Sequence, residues 1–188
     1  MRILLISPNT EMLPDPVFPL GLAYVSAALE ANRHEYRVLD LCFVEDYAPA
    51  LEQAVEEFAP QAIGISLRNV DNVAYPNSHS YLPFYRQITA TLRGLTGVPI
   101  ILGGSGFSLM PRELLTYLKA DYGIWGEGER TLPHLLDHIR QGLPITGIPG
   151  LISRNSMVPQ CLPGPVLSTQ EMLIPCRDRF ANEQYLRF

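Results

Sequence analysis

The groups in this chain that invite chemistry are small. Gly103, Gly104 and Gly106 lie in ILGGSGFS (101–108), and Gly126 and Gly128 alternate with Glu127 and Glu129 in GEGE. Glycines directly behind an apolar run leave main-chain N–H and C=O groups bare, so a ligand can lie against the backbone itself. Ser7 and Asn9 follow the first apolar run, and Ser66, Leu67, Arg68 and Asn69 end or follow the third. This set offers hydrogen bonds, not a nucleophile with its base. Glu129 stands where a first-turn acid complements a helix dipole, so Glu127 and Glu129 read as capping or ligand-bonding groups before a catalytic acid pair. His134 and His138 have the i, i+4 spacing of metal ligands but no third ligand, and read as a solvent-facing pair. His79 reads as a helix-start or surface residue. Taken alone, Gly103 and Gly104 read first as turn residues that end a strand. Arg68 reads as a salt-bridging loop residue or as a partner for a phosphate or propionamide group. Tyr75, Tyr81 and Tyr85 wall a pocket or simply pack a helix on a sheet. Cys42, Cys161 and Cys176 are too few and too far apart for a disulfide framework or a metal site, and fit incidental thiols in a reducing compartment.

Several familiar ligands fail on residue type or placement. A phosphate-binding P-loop needs Lys and Ser/Thr behind its glycines, and GGSGFSLM has no Lys. A dinucleotide fingerprint follows the first strand; here SPNTEMLPD follows the first strand and the glycines follow the fourth. A phosphoacceptor receiver domain needs an Asp at the end of the third strand, where this chain has Ser66.

The elements that must position these groups alternate. RILLIS (2–7) is an apolar run closed by Pro8 and Asn9, as in a strand buried on both faces. Pro19 opens a helix in which Leu20, Ala23, Tyr24, Ala27, Ala28 and Ala31 share one mostly alanine face. YRVLD (36–40) is a second strand, followed by a helix with Leu51, Ala54, Val55 and Phe58 on one side. QAIGISL (61–67) is a third strand; Tyr81, Phe84, Tyr85, Ile88 and Leu92 mark a third helix, with Pro83 in its first turn. VPIIL (98–102) is a fourth strand, Pro111 to Lys119 a short helix and DYGIW (121–125) a weak fifth strand. Arg130 to Arg140 form a last helix that turns Leu132, Leu135, Leu136 and Ile139 inward and ends at Gly142. Five strand–helix repeats joined by connections too long for hairpins predict a doubly wound α/β domain, flavodoxin-like, with a five-stranded parallel sheet and helices on both faces. Ligands of such sheets sit outside the carboxyl ends of the strands, where strand order reverses.

The expected domain covers 1–142. From 143 to 188 the chain carries six prolines, weak periodicity and one possible hairpin, GLISRNSMVPQ, turning at Asn155 and Ser156; it reads as a linker or docking arm that ends without a turn or cap signal, as if the polypeptide continued. The 188 residues are 47% hydrophobic and 18% charged, with a net charge of −5 and scattered Lys and Arg, which argues against a nucleic-acid surface. No apolar run approaches the ~20 residues of a membrane span, and a cytoplasmic location is expected.

Small uncharged groups gathered at one sheet end suit a large ligand rich in amides. Cobalamin is one: a flat macrocycle fringed with amides, whose nucleotide tail needs a slot that an all-small helix face leaves beside the sheet. The order PLGLAYVSAALE, VLDL, GISLRNVDN, ILGGSGFSLMP, YGIWGEGERTLPHLL strongly resembles the amino-terminal cobalamin-binding domain of cobalamin-dependent radical S-adenosylmethionine enzymes. The resemblance covers roughly 1–142, and 143–188 looks like their connector to the catalytic barrel. It implies cofactor contacts at Asn9, Ser66, Leu67, Arg68, Asn69, Gly103, Gly104, Ser105, Gly106, Phe107, Gly126, Glu127, Gly128 and Glu129. It also implies methyl transfer by way of cobalamin, and a parent enzyme that carries a [4Fe-4S] cluster and S-adenosylmethionine on a radical SAM domain of the same polypeptide.

Two departures qualify it. Other cobalamin domains carry D-x-H-x-x-G after the first strand, whose His ligates cobalt, and no His precedes His34 here; cobalt is therefore expected without a protein His and without its own base. The C-x-x-x-C-x-x-C run of a radical SAM cluster is absent, so this chain alone is expected to bind and not to catalyse. The alternatives are a flavodoxin-like docking module without cofactor, and a flavin-binding domain.

Overall fold

The computed structural model describes residues 1–154 and 162–187. The hairpin turn expected at Asn155 and Ser156, and Cys161, lie outside the described residues. Six strands form one sheet in the order β2-β1-β3-β4-β5-β6: β1 (Arg2–Ser7), β2 (Glu35–Asp40), β3 (Ala62–Ser66), β4 (Ile100–Gly103), β5 (Tyr122–Ile124) and β6 (Leu151–Ser153). The first five are parallel, and β6 adds antiparallel to the β5 edge, pairing Gly123 with Ile152. The sheet therefore has one strand more than the five expected. Three residues of antiparallel edge strand leave little periodicity to read, and they lie in the segment read as an arm. Strand order reverses between β1 and β3, so a crevice belongs at their carboxyl ends.

The helices are α1 (Leu20–Ala31), α2 (Tyr47–Phe58), α3 (Leu82–Leu95), α4 (Ser105–Leu109), α5 (Pro111–Tyr117), α6 (Gly128–Gln141) and α7 (Asn182–Tyr185). Local chemistry sets several ends. The Asp46 carboxylate accepts from the Ala48 N–H at 3.1 Å to start α2. Gly142, at φ 64°, closes α6 as its sequence position predicts.

The β1 pleat sends Leu4 and Ile6 to a core roofed by α2, α3 and α5, and Ile3 and Leu5 to a second core roofed by α1 and α6. All four are at most 1% exposed, and each contributes about 1.5–3 kcal/mol by leaving water. The buried side of α1 is Leu22, Ala23, Ser26, Ala27, Ala28 and Leu29; Leu20 and Ala31 are exposed, so the helix is rotated from the face its sequence predicts. A helix with small residues on most sides gives periodicity little to separate.

His34, before β2, has a fully covered side chain 3.2 Å from the N-terminal amine through Nδ1. Burial lowers its pKa below the ordinary value of 6.5, and the neighbouring amino-terminal charge lowers it further. The unfolded chain then takes up a proton that the folded one refuses, so His34 adds stability above the unfolded pKa and that stability is lost as pH falls below it. The urea midpoint is expected to drop between about pH 7.5 and about pH 5.5, and His34→Gln to flatten that slope. An unchanged slope in the variant would refute the assignment.

Candidate functional site

The carboxyl ends of β1, β3, β4 and β5 open into a cavity of about 580 Å³ that runs inward between the sheet and α1/α6. Its inner wall is apolar: Leu5, Ile101 and Ile124 from the strands, Leu22 and Val25 from α1, and Leu132 from α6. Its mouth is polar and small: Ser7, Asn9, Ser66, Arg68, Gly103, Gly104, Ser105, Ser108, Gly126, Glu127, Gly128 and Glu129. The first turns of α1 and α6 both border it, adding the partial positive charge of two helix starts.

Of the residues singled out in the sequence, Asn9, Ser66, Arg68, Gly103, Gly104, Ser105 and the run 126–129 line this one cavity. Leu67, Asn69, Gly106 and Phe107 do not. Leu67 is fully buried in the α2/α3/α5 core, and the Asn69 carbonyl accepts from the Tyr85 hydroxyl at 3.0 Å. A Cβ on Gly106 would lie 3.0 Å from backbone atoms of Arg68 and Asn69, so this glycine serves the packing of α4 on the loop after β3. Phe107 is 0% exposed, with its ring over Gly123; a Cβ there would stand 2.2 Å from Phe107 Cζ. The stretch after Gly104 is one helical turn, which drops Phe107 into the core and leaves Ser105 and Ser108 at the cavity.

The two adjacent glycines differ. Gly104 has φ 96° and ψ 171°, a region essentially reserved for glycine, and its Cβ would lie 2.6 Å from the Leu67 carbonyl oxygen. Gly103 meets only Ile124 Cβ at 4.0 Å, so its missing side chain leaves open space at the cavity wall.

Loop-to-loop bonds hold the mouth in shape. Ser105 Oγ donates to the Arg68 carbonyl at 2.8 Å, the Gly126 N–H donates to Ser108 Oγ at 3.2 Å, and the Tyr81 hydroxyl donates to the Glu11 carboxylate at 2.7 Å. Asn9 Oδ1 accepts from the Glu11 N–H at 3.4 Å, while its Nδ2 is buried with no partner, a donor without an acceptor at the cavity. Burial and the Glu127 charge push the Glu129 carboxyl above its ordinary range, against the pull of the N–H groups of residues 128 and 129. Glu127 Oε2 accepts from the Leu167 N–H at 2.5 Å. Arg68 is exposed and forms no ion pair among the described residues.

Other candidates fall elsewhere. His134 is exposed and stacks edge-on against His138, whose Nδ1 lies 2.7 Å from the Pro144 carbonyl. No group of three metal-ligating side chains occurs among the described residues. His79 and Tyr75 belong to the exposed loop before α3, and Tyr85 is buried under it. Cys42 is buried and free, and Cys176 is free. Sequence reasoning missed Val17 to Gly21, Gly64 and Ser108 as wall residues. Gly64, a glycine inside a strand, was the one signal available: its Cβ would crowd Leu5 Cδ2 at 3.0 Å. Among the described residues no helix is long and apolar enough to cross a membrane.

The family profile of the B12 binding domain matches residues 8–136. The tryptophan 2-C-methyltransferase of Streptomyces laurentii is 33% identical over 153 residues, 80% of this chain and 25% of that protein. The hopanoid C-3 methylase of Methylococcus capsulatus is 29% identical over 163 residues, 85% of this chain and 29% of that protein. Among solved structures, the radical S-adenosylmethionine methyltransferase TsrM of Kitasatospora setae, with cobalamin and a [4Fe-4S] cluster bound, superposes with a TM-score of 0.77 at 37% identity, over 81% of this chain and 28% of that one. The chain spans about 25% to 40% of the length of the curated relatives it matches.

Proposed function

The chain belongs to the B12 binding domain family, and from that premise we propose that it is the cobalamin-holding domain of a radical S-adenosylmethionine methyltransferase. The residues at the ends of β1, β3, β4 and β5 would hold the corrin, and the apolar residues of the cavity between the sheet and α1/α6 would hold the nucleotide tail. One observation carries this reading: a 580 Å³ cavity, apolar within, whose mouth combines bare backbone at Gly103 with a buried Asn9 amide that has no partner. Cobalamin, when bound, supplies a cobalt centre that takes up and hands on a methyl group.

The residues of this chain have narrower tasks. Asn9 Nδ2 donates to an acceptor on the ligand, which satisfies a group that is costly to leave unpaired. Gly103 lets the rim approach the main chain. Leu5, Val25, Ile101 and Leu132 keep water from the slot. Arg68 and Glu129 face the ligand's polar fringe from the mouth. The [4Fe-4S] cluster and S-adenosylmethionine belong to a radical SAM domain of the same polypeptide, towards which 143–188 leads. Three dispersed cysteines fit a cytoplasmic protein.

Incubation with hydroxocobalamin followed by desalting is expected to leave corrin bands in the visible spectrum. A colourless protein, or one carrying flavin absorbance, overturns the reading. The cavity is lined by apolar, hydroxyl, amide, guanidinium and carboxylate side chains and by glycines. With the base of the nucleotide tail held in the slot as well, the Co(II) form would give an electron paramagnetic resonance spectrum free of nitrogen superhyperfine splitting, and such splitting would contradict it.

A further inference from the structure

Residues 162–187 fold back over the α1/α6 side of the domain. None of them lines the cavity, yet they touch the outside of three of its walls. Behind the wall after β5, the Gly164 N–H donates to the Trp125 carbonyl at 2.8 Å, next to the bond from Leu167 to Glu127. Behind the β1–α1 loop, Phe18, itself a wall residue, is enclosed by three groups. The Phe180 ring lies 5.1 Å from it, the Tyr185 ring 5.4 Å edge-on, and the Arg177 guanidinium 5.0 Å over its face. Behind β1, the Tyr185 hydroxyl donates to Asp40 Oδ2 at 2.5 Å. Asp40 stands opposite Ser7 in the β1–β2 register and is pushed above its ordinary pKa by burial, against the pull of the Tyr185 hydroxyl, the Cys42 N–H and the Ser7 hydroxyl.

The loop that carries Phe18, residues 8–19, contains four prolines and no regular structure, and its Leu13 is 78% exposed. Phe18 packs on the α1/α6 core, and among the described residues its ring partners include Phe180, Tyr185 and Arg177 of the returning segment. We infer that Arg177, Phe180 and Tyr185 are positioning residues for the cavity: they clamp Phe18 and, through Asp40, brace Ser7, so docking of this segment and binding in the cavity are coupled. The inference rests on the reading that cobalamin is the ligand. If undocking leaves a tenth of the molecules competent, the apparent dissociation constant rises about tenfold. Coupling of this kind is reciprocal, so the ligand must in turn hold the segment down.

The test titrates the full chain with hydroxocobalamin by its visible bands. Phe180→Ala is expected to weaken binding about tenfold, and Tyr185→Phe, which keeps the ring, about threefold. Phe180 is core-buried, so the wild-type chain carries a second readout that does not depend on the variant folding. Trypsin cuts after Arg177 and Arg179, both exposed, and saturating hydroxocobalamin slows those cuts more than the cut after exposed Lys119. Wild-type affinity in Tyr185→Phe together with no such preference in the cleavage overturns the inference. A wild-type chain that takes up no hydroxocobalamin overturns the function proposed above, and this inference with it.

Discussion

Gly103→Val is expected to abolish retention of cobalamin while leaving the domain folded. Gly103 ends β4 beside Ser66 of β3, its φ is outside the left-handed region, and an added side chain meets nothing nearer than Ile124 Cβ at 4.0 Å. A β-branched residue is at home at the end of a strand, so internal strain is small. The space it takes is the cavity wall, where the ligand's rim would lie against the backbone. Overpacking at such a contact costs about 1–3 kcal/mol in a well-packed interior and more against a rigid macrocycle, so affinity falls by roughly 100-fold or more. Visible titration measures the loss, and thermal unfolding by circular dichroism checks the fold. A Gly103→Val protein that binds like wild type would remove the ligand from this edge of the sheet.

Gly104→Ala, one residue on, is expected to act through the fold instead. Its Cβ would stand 2.6 Å from the Leu67 carbonyl oxygen and 3.0 Å from both the Leu67 nitrogen and Ser66 Oγ. That peptide cannot yield cheaply, because the Leu67 N–H donates to the Gly103 carbonyl at 2.8 Å and the Leu67 carbonyl accepts from the Gly106 N–H at 2.8 Å. Alanine at φ 96° is strained before any clash, by about 1–3 kcal/mol; with the contact the loss reaches ~3 kcal/mol or more. For a domain whose whole stability is about 5–15 kcal/mol, urea denaturation would register a large shift in midpoint, and cobalamin would be lost in step with the folded fraction. An unchanged midpoint would show that the loop after β3 gives way where its hydrogen bonds say it does not. Neighbouring glycines thus separate two roles: Gly103 leaves room for the ligand, and Gly104 lets β4 turn into α4.

Much of this is legible in the sequence. Strand and helix alternate in the sequence because a parallel strand buried on both faces must be apolar throughout, while the helix that covers it needs apolar residues only on one side. Runs such as RILLIS and the spacing of Leu132, Leu135 and Leu136 carry that difference locally. The end of α6 at Gly142 is equally local. The polar mouth was legible too, since Asn9, Ser66, Gly103 and Gly126 all follow apolar runs, and topology brings strand ends together.

What the tertiary structure alone decided are contacts whose partners lie far apart along the chain and compensate each other in volume. Phe107 looks in sequence like an aromatic beside a ligand loop; the bare Cα of Gly123, on another strand, makes it a core residue. The rotation of α1 depended on which of its many small residues met α6, and no local pattern encodes that choice. The segment 162–187 has weak periodicity, yet Cys176 reaches the Ala23 carbonyl at 3.0 Å and Tyr185 reaches Asp40 at 2.5 Å. Periodicity records which side of an element faces an interior, because burial acts on each residue singly; which interior partner it meets is a matter of shape, and shape is settled only when the layers close.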